Sequence, residues 1–315
     1  MISGKGAAVS PHVVILLASY NGAAHLQVQL DSIAAQDWPR WSLILSDDGS
    51  TDATRDLALA FAATRPAGQV TVIDGPRQGA TMNFLSALDH VPDGAWAAFC
   101  DQDDRWFPDK LSRAVEALGT DPRPGHYAAR TIIADPDLNP IRPSRRFTRP
   151  LGLRNALVQA CMAGNSSVFN AAAVRVLRDA APAARRAGVI SHDWWAYQLM
   201  AASGARLIHD PRPCLLYRQH QASEVGRNDT IPAMTARLRR LMAGDFGTWL
   251  RANYDSLAAL DLPPDSRDLL ARLDGVMRNP PPRAVIDLRR GGFYRQTRAG
   301  TAALWLSAMT GALRA

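Results

Sequence analysis

Trp41-Ser42-Leu43-Ile44-Leu45-Ser46-Asp47-Asp48-Gly49-Ser50-Thr51-Asp52 begins apolar and ends in an acidic turn. A short apolar run bounded by turn residues reads as a buried strand, with Thr51 or Asp52 capping the helix that follows. The pattern recurs on either side. His12 to Ser19 is a strand, followed by a helix over Ala24 to Gln36 in which Leu26, Leu30 and Ile33 fall near helical spacing. Gln69 to Asp74 and Trp96 to Cys100 are further strands, with helices over Thr81 to Leu88 and Pro108 to Leu118, the latter with proline in its first turn. Strand and helix alternate repeatedly, the signature of βα units around a largely parallel sheet.

The second half is less regular. His126 to Ala134 reads as a strand, Pro136 to Pro150 as a Pro- and Arg-rich loop, Cys161 to Phe169 as a strand and Ala171 to Ala180 as a helix. His192 to Ser203 is helical, Ala205 to Ile208 and Cys214 to Tyr217 are short strands, and the chain beyond about Ile231 is helical and basic. Pro263-Pro264 and Pro280-Pro281-Pro282 divide that tail into pieces. The domain reading is an α/β unit over 1–226, in halves of about 1–120 and 121–226, with 227–315 as a basic helical region.

The chain has 315 residues, 47% hydrophobic and 21% charged, so it can bury a sizeable core, and disordered, collagen-like and small disulfide-stapled classes are excluded. Lys+Arg 36 against Asp+Glu 29 gives a formal net charge of +7. Only Lys5 and Lys110 are lysines, so the excess is arginine, whose planar fork suits phosphates, although coding bias in an Ala- and Arg-rich chain gives the same balance. No stripe of basic and aromatic residues of the nucleic-acid-binding kind is present. Cys100, Cys161 and Cys214 make no CxxC pair and fit a reducing compartment. Val13 to Ala18 is too short for a signal-peptide core, so the start reads as cytoplasmic. Ala299 to Leu313 is uncharged but falls short of the roughly 20 residues that cross a bilayer, so it can lie on a membrane without spanning it.

In open α/β sheets, ligands bind beyond the carboxyl ends of the strands. Here those ends are polar: Ala18-Ser19-Tyr20-Asn21-Gly22, then Ser46 to Asp52, then Asp101-Gln102-Asp103-Asp104. Carboxylates of the second and fourth loops converge on one crevice, and such a cluster needs a cation or hydrogen-bond donors. A divalent metal holding a substrate diphosphate is the natural compensation, since one or two carboxylates suffice for Mg²⁺ or Mn²⁺, and Asp101-Gln102-Asp103 supplies that minimum. The plainer alternative makes Asp47, Asp48 and Asp52 turn and cap residues, and for Asp52 it is preferred.

Ala18-Ser19-Tyr20-Asn21-Gly22, Asp47-Asp48-Gly49-Ser50-Thr51-Asp52 and Asp101-Gln102-Asp103-Asp104-Arg105-Trp106 resemble family 2 glycosyltransferases of the GT-A fold. His192-Asp193-Trp194-Trp195 and Tyr217-Arg218-Gln219-His220 resemble the rhamnosyltransferase-like branch, so the likeness runs from about residue 12 to 226. It implies a Rossmann-like, mostly parallel sheet flanked by helices, with a helical C-terminal extension, and an inverting transfer of a sugar from a nucleotide diphosphate to an acceptor hydroxyl. By the same resemblance Ser19, Tyr20, Asn21 and Asp48 meet the nucleoside, the Asp48 carboxylate accepting from N3–H of uracil or thymine, which favours UDP or dTDP over GDP. Asp101 and Gln102 flank the ribose, Arg77 reaches base or phosphate, Arg218 clamps the diphosphate, and Asp103 with His220 holds Mn²⁺ or Mg²⁺. Asp193 is the general base. The family usually has an acidic pair there, and His192 replaces the first acid, so Asp193 stands alone; a helix cap is its ordinary alternative. Asn165, Trp194 and Trp195 are acceptor candidates, although adjacent helical residues point apart and at most one Trp can face a sugar.

The function expected from this set is transfer of L-rhamnose from dTDP-rhamnose to a lipid-linked saccharide in cell-surface polysaccharide synthesis. Transfer from a UDP-hexose or UDP-N-acetylhexosamine fits the same framework, and a nucleotide-sugar binding protein without catalysis is the reading from a different class. Arg142, Arg145, Arg146 and Arg149 form a lid, a headgroup contact or a solvated loop. The tail is either a peripheral membrane contact or a bundle packed on the α/β unit or on a second copy.

Overall fold

The computed structural model describes residues 10–219 and 245–314. Four βα units open the chain as expected: β1 (Val13–Ser19), α1 (Ala23–Ala34), β2 (Trp41–Asp47), α2 (Thr54–Ala63), β3 (Val70–Asp74), α3 (Ala80–Ala87), β4 (Trp96–Asp101) and α4 (Lys110–Leu118), with a two-residue strand β5 (Arg105–Trp106) between the last two. These four strands run parallel in the order β3-β2-β1-β4. Val13 to Leu17 are wholly buried because helices cover both faces of the sheet, which is why β1 is a continuous apolar run rather than an alternating one. Register sets Ser19 beside Asp47, Ala18 beside Asp101 and Asp47 beside Asp74, so the polar strand ends form one row.

The remaining elements extend that sheet. They are β6 (Gly125–Ala134), β7 (Pro140–Pro143), α5 (Leu153–Ala156), β8 (Val168–Phe169), α6 (Ala171–Ala187), α7 (His192–Ala202) and β9 (Arg206–Arg218). β8 lies antiparallel between β4 and β6, β9 runs parallel to β6, and β5 pairs antiparallel with β9. The carboxyl ends of β6 and β9 therefore join the same edge as the first four strands, and Arg218 ends on it.

Several expectations change here. Cys161 to Phe169 is not one strand: Gly164–Ser166 forms a 3₁₀ turn and only Val168–Phe169 pair. Ser166 and Ser167 both donate to Ala163 O, a local bond that competes with the ladder. The two short strands after residue 205 are one strand, its ladder with β6 shifted around Arg130, the stretch of β9 that carries Pro211 and Pro213. The 136–150 loop holds β7, an edge strand able to carry prolines, and α6 runs past Pro182 to Ala187.

The described tail is helical: α8 (Asp245–Ala258), α9 (Pro264–Arg278), α10 (Pro281–Gly291) and α11 (Arg298–Thr310). Pro264 and Pro281 occupy first turns, where a missing N–H costs nothing. Leu250, Leu257, Leu273, Met277 and Leu304 share one apolar cluster with Phe84, Phe99, Trp194 and Trp195, so the tail continues the core of the α/β unit.

Candidate functional site

Hydrogen bonds stitch the strand-end loops together. Gln102 spans from β4 to β1, accepting from Tyr20 N at 3.0 Å and donating to Tyr20 O at 3.0 Å. Gly22 allows that approach, since a Cβ there would lie 2.1 Å from Gln102 Oε1. Asn21, at φ 45, gives its N–H to Ser50 Oγ at 2.9 Å and accepts from Thr51 N at 2.8 Å, tying β1 to β2. Tyr20 projects its ring outward, 57% exposed beside this seam.

Most of the acidic cluster is satisfied by the protein itself. Asp47 accepts from Ser50 N, Ser50 Oγ and Ser19 Oγ at 3.1, 2.5 and 3.2 Å. Asp52 accepts from Thr54 N at 3.0 Å and Ala23 N at 3.1 Å, the turn role preferred for it, and the Thr54 hydroxyl leads in holding its carboxyl below the usual range. Asp48 is buried and takes the amides of Arg77 at 2.6 Å and Gly79 at 2.7 Å. Arg77 adopts φ 59, uncommon for a residue with a side chain, and its exposed side chain lies over Gly49.

Asp104 is wholly buried, accepting from Asn165 Nδ2 at 2.7 Å and Arg218 N at 3.1 Å. Burial first, then the charge of Asp103, pushes its carboxyl up. Lys110, buried beside it, donates to Asn165 O at 2.8 Å and sits over the Trp106 ring, and burial pulls its ammonium down. Asn165 is therefore a buried strut of this network rather than an acceptor wall. Arg218 is also buried: Nε donates to Asp103 O at 2.7 Å and Nη1 to Pro136 O, so its guanidinium braces the Asp101–Asp104 loop from below.

Asp101 and Asp103, both half-buried at the end of β4, are the oxygen donors where the sequence puts a cation. Among the described residues no group of three or more His, Cys, Asp or Glu side chains is placed to hold a metal ion. Two hard carboxylates at a braced strand end still fit Mn²⁺ or Mg²⁺, which take one or two protein carboxylates and complete their shell with substrate phosphate and water. His220 lies outside the described residues, as do Arg237, Arg239 and Arg240.

Asp193 stands in the first turn of α7. Ser191 is the N-cap, so the cap role considered for Asp193 falls to its neighbour. The Asp193 carboxylate accepts from Ser191 Oγ, from Trp194 N at 2.7 Å and, across the site, from Gly164 N at 3.2 Å. The turn Gly164–Ser166 is thereby gripped twice, by Asp193 and, one residue on, by Asp104. A Cβ at Gly164 would fall 2.6 Å from His192 Nε2 and 3.1 Å from Asp193 Cβ. His192 stacks on Phe84 at 4.0 Å, and burial lowers its imidazole.

Neither tryptophan offers a sugar platform, which corrects that expectation. Trp195 is fully buried with Nε1 donating to Ser256 Oγ at 2.9 Å. Trp194 is buried too, donating to Ala156 O at 2.7 Å and stacked on Phe246 at 5.6 Å. The tail helix α8 claims both rings. Residues not singled out from the sequence as site residues also matter here: Lys110 and Asp104, the latter visible only as the final acid of the Asp101–Asp104 run.

Comparison with known proteins bears on the family and the fold. The profile described as Glycosyl transferase family 2 matches residues 14–178. The chain is 26% identical over 230 residues to dTDP-rhamnosyl transferase RfbG of Shigella flexneri, a match covering 70% of this chain and 78% of that one. It is 29% identical over 107 residues to the UDP-Glc:alpha-D-GlcNAc-diphosphoundecaprenol beta-1,3-glucosyltransferase WfgD of Escherichia coli, covering 34% of this chain and 40% of the relative. Among solved structures, mannosyltransferase PcManGT from Pyrobaculum calidifontis, in complex with GDP-Man and Mn²⁺, superposes with TM-score 0.50 at 20% identity over 96% of this chain and 86% of its own. TarS of S. aureus gives TM-score 0.55 at 13% identity over 95% of this chain and 53% of its own. Those two likenesses are of fold. With the profile matching more than half of its length, the chain belongs to glycosyl transferase family 2, and its sheet is the GT-A fold.

Proposed function

We propose that the protein is an inverting glycosyltransferase that moves L-rhamnose from dTDP-rhamnose to a hydroxyl of a saccharide, with a lipid-linked saccharide of cell-surface polysaccharide synthesis as the acceptor class and the cytoplasm as the place of reaction. The observation that carries this reading is the double grip on Gly164–Ser166, where the Asp101–Asp104 loop and Asp193 meet on adjacent residues of one turn. It supports a donor site and a base fixed relative to each other. The rhamnosyl choice is supported by the His192-Asp193-Trp194-Trp195 stretch and by the name of the Shigella relative.

In a direct displacement the acceptor O–H gives its proton to Asp193 as its oxygen attacks C1. The C1–O bond to the diphosphate breaks on the opposite face, so configuration inverts and nucleoside diphosphate leaves. Asp48 accepts N3–H of thymine or uracil with lone pairs beyond those the two amides engage. Ser19, Tyr20, Asn21 and Arg77 surround the nucleoside, and Asp101 and Gln102 the ribose. Asp103, with Asp101 beside it and His220 as a further ligand, would hold Mn²⁺ or Mg²⁺, whose charge when bound offsets that on the departing diphosphate. Arg218 serves the diphosphate through the main chain of Asp103.

The test is nucleoside diphosphate release from dTDP-rhamnose, UDP-hexoses and GDP-mannose with Mn²⁺, Mg²⁺ or EDTA. Cation-dependent release from dTDP-rhamnose, lost in Asp103→Ala, is expected. Release from a UDP-hexose instead favours the second reading, to which the name of the Escherichia coli relative points. Binding of dTDP or UDP with no release from any donor and acceptor favours the non-catalytic one.

A further inference from the structure

Helix α11 buries Leu304 and Ala308 in the ordinary way, yet its outer face is apolar as well. Arg298, Ala302, Leu306 and Met309 are all exposed at helical spacing, Leu306 by 51% and Met309 by 60%, with half-buried Trp305 alongside. No charge interrupts the stripe between Arg298 and Arg314. The end of α11 returns to the start of α10, since a Cβ at Gly311 would lie 4.0 Å from Pro281 Cγ. The exposed side of α10 carries Arg283, Ile286, Arg289 and Arg290.

Asp287 is the only acid between residues 279 and 314, and it is turned toward α9, accepting from Asn279 Nδ2 at 2.8 Å and lying 2.6 Å from the Cβ position of Gly275. The exposed surface of the hairpin thus combines an apolar stripe on α11 with the arginines of α10 and Arg298. That pattern selects the occupant. A second copy meeting it through a two-fold axis would bring both sets of arginines into one interface with no outward acid of the hairpin to pair them, since Asp287 is engaged by Asn279. An anionic bilayer takes the apolar side chains among its acyl chains and the arginines at its phosphates.

We infer that the α10–α11 face docks in the plane of an anionic lipid surface. The hairpin is also fastened to the site. Its connection, residues 292–297, meets the 149–159 segment through Arg149 N to Gln296 Oε1 at 3.0 Å, Gln296 N to Gln159 Oε1 at 2.7 Å and Asn155 Nδ2 to Tyr294 O at 3.1 Å. That segment leads into the turn held by Asp193, so docking sets the height of the base above the lipid. Docking stands without the transfer reading; its use for a lipid-linked acceptor rests on it.

The experiment is co-sedimentation of the full chain with vesicles of phosphatidylcholine alone or mixed with phosphatidylglycerol. Binding to the mixed vesicles only, weakening with salt, is expected. Leu306→Gln with Met309→Gln, and separately Arg289→Gln with Arg290→Gln, should each weaken it about tenfold or more, while Leu59→Gln, an exposed leucine on α2, should not. Asp193→Asn should bind as the parent does, which separates a failure of transfer from a failure of docking. No binding to mixed vesicles, equal binding to both, or a concentration-dependent dimer abolished by the Leu306/Met309 pair overturns the inference. Should either double variant unfold, the lipid and salt comparison on the parent chain still decides.

Discussion

Asp193 and Gly164 can be tested one side chain at a time. Asp193→Asn keeps the shape of the group and removes its basicity, so kcat should fall about 100- to 10,000-fold, while the thermal midpoint drops only modestly, because an amide nitrogen cannot accept from Gly164 N as the second carboxylate oxygen does. Nucleoside diphosphate release beside a melting curve reads both, and a retained rate would move the base elsewhere. Gly164→Ala places a Cβ against His192 and Asp193. It should lower kcat while leaving the KM for the donor close to that of the parent, because the displaced group faces the acceptor step. The sequence singles out Asp193 through its neighbours, since an acid before two tryptophans matches a known pattern. It could not show that both tryptophans are buried, because what buries them is α8, some 50 residues later in the chain. The same blindness hid the bracing contact of Asn165, read from the sequence as an acceptor residue, since its partner Asp104 is 61 residues away.

At the level of elements, strands that follow one another and pair in parallel were readable because each is a self-contained apolar run. β8 was not, because two paired residues carry no periodicity, and the 3₁₀ turn before it exists to serve contacts from other elements. β5, equally short, was invisible for the same reason. Gln102 joins the β4 loop to the β1 loop with two hydrogen bonds to Tyr20. Gln102→Ala should therefore raise the KM for the nucleotide sugar several-fold more than it lowers kcat, with no change in the fold. Steady-state kinetics at varied donor concentration checks this, and a loss confined to kcat would contradict it.

For the whole molecule, acid sensitivity follows from two histidines held neutral in the sheet. Burial first, then His209, pulls His126 down to about 3, and burial first, then Arg130, pulls His209 down to about 4. Unfolded, both take up a proton near pH 6.5, so the unfolded state binds more protons below that point. Stability is complete above about pH 6.5 and declines as pH falls toward 4 and 3. His126 alone should contribute about 2 kcal/mol of this loss by pH 5. Urea midpoints measured at pH 5 and 7.5 should differ less in His126→Phe than in the parent chain. The helical character of the tail and its proline breaks were legible from sequence; that its inner faces complete the main core was not, since amphipathic residues do not name their partner. That shared core has a consequence during synthesis. The helix bearing Asp193 is roofed by α8, with Trp195 bonded to Ser256 and Trp194 stacked on Phe246. On the ribosome the first four βα units emerge first, while Asp193, the proposed base, remains on an uncovered helix until residues up to Ala258 have left the tunnel. A chain stalled or clipped before α8 would carry two bare indoles beside an Asp193 not yet held in place, a mark by which quality control could tell an unfinished molecule from a finished one.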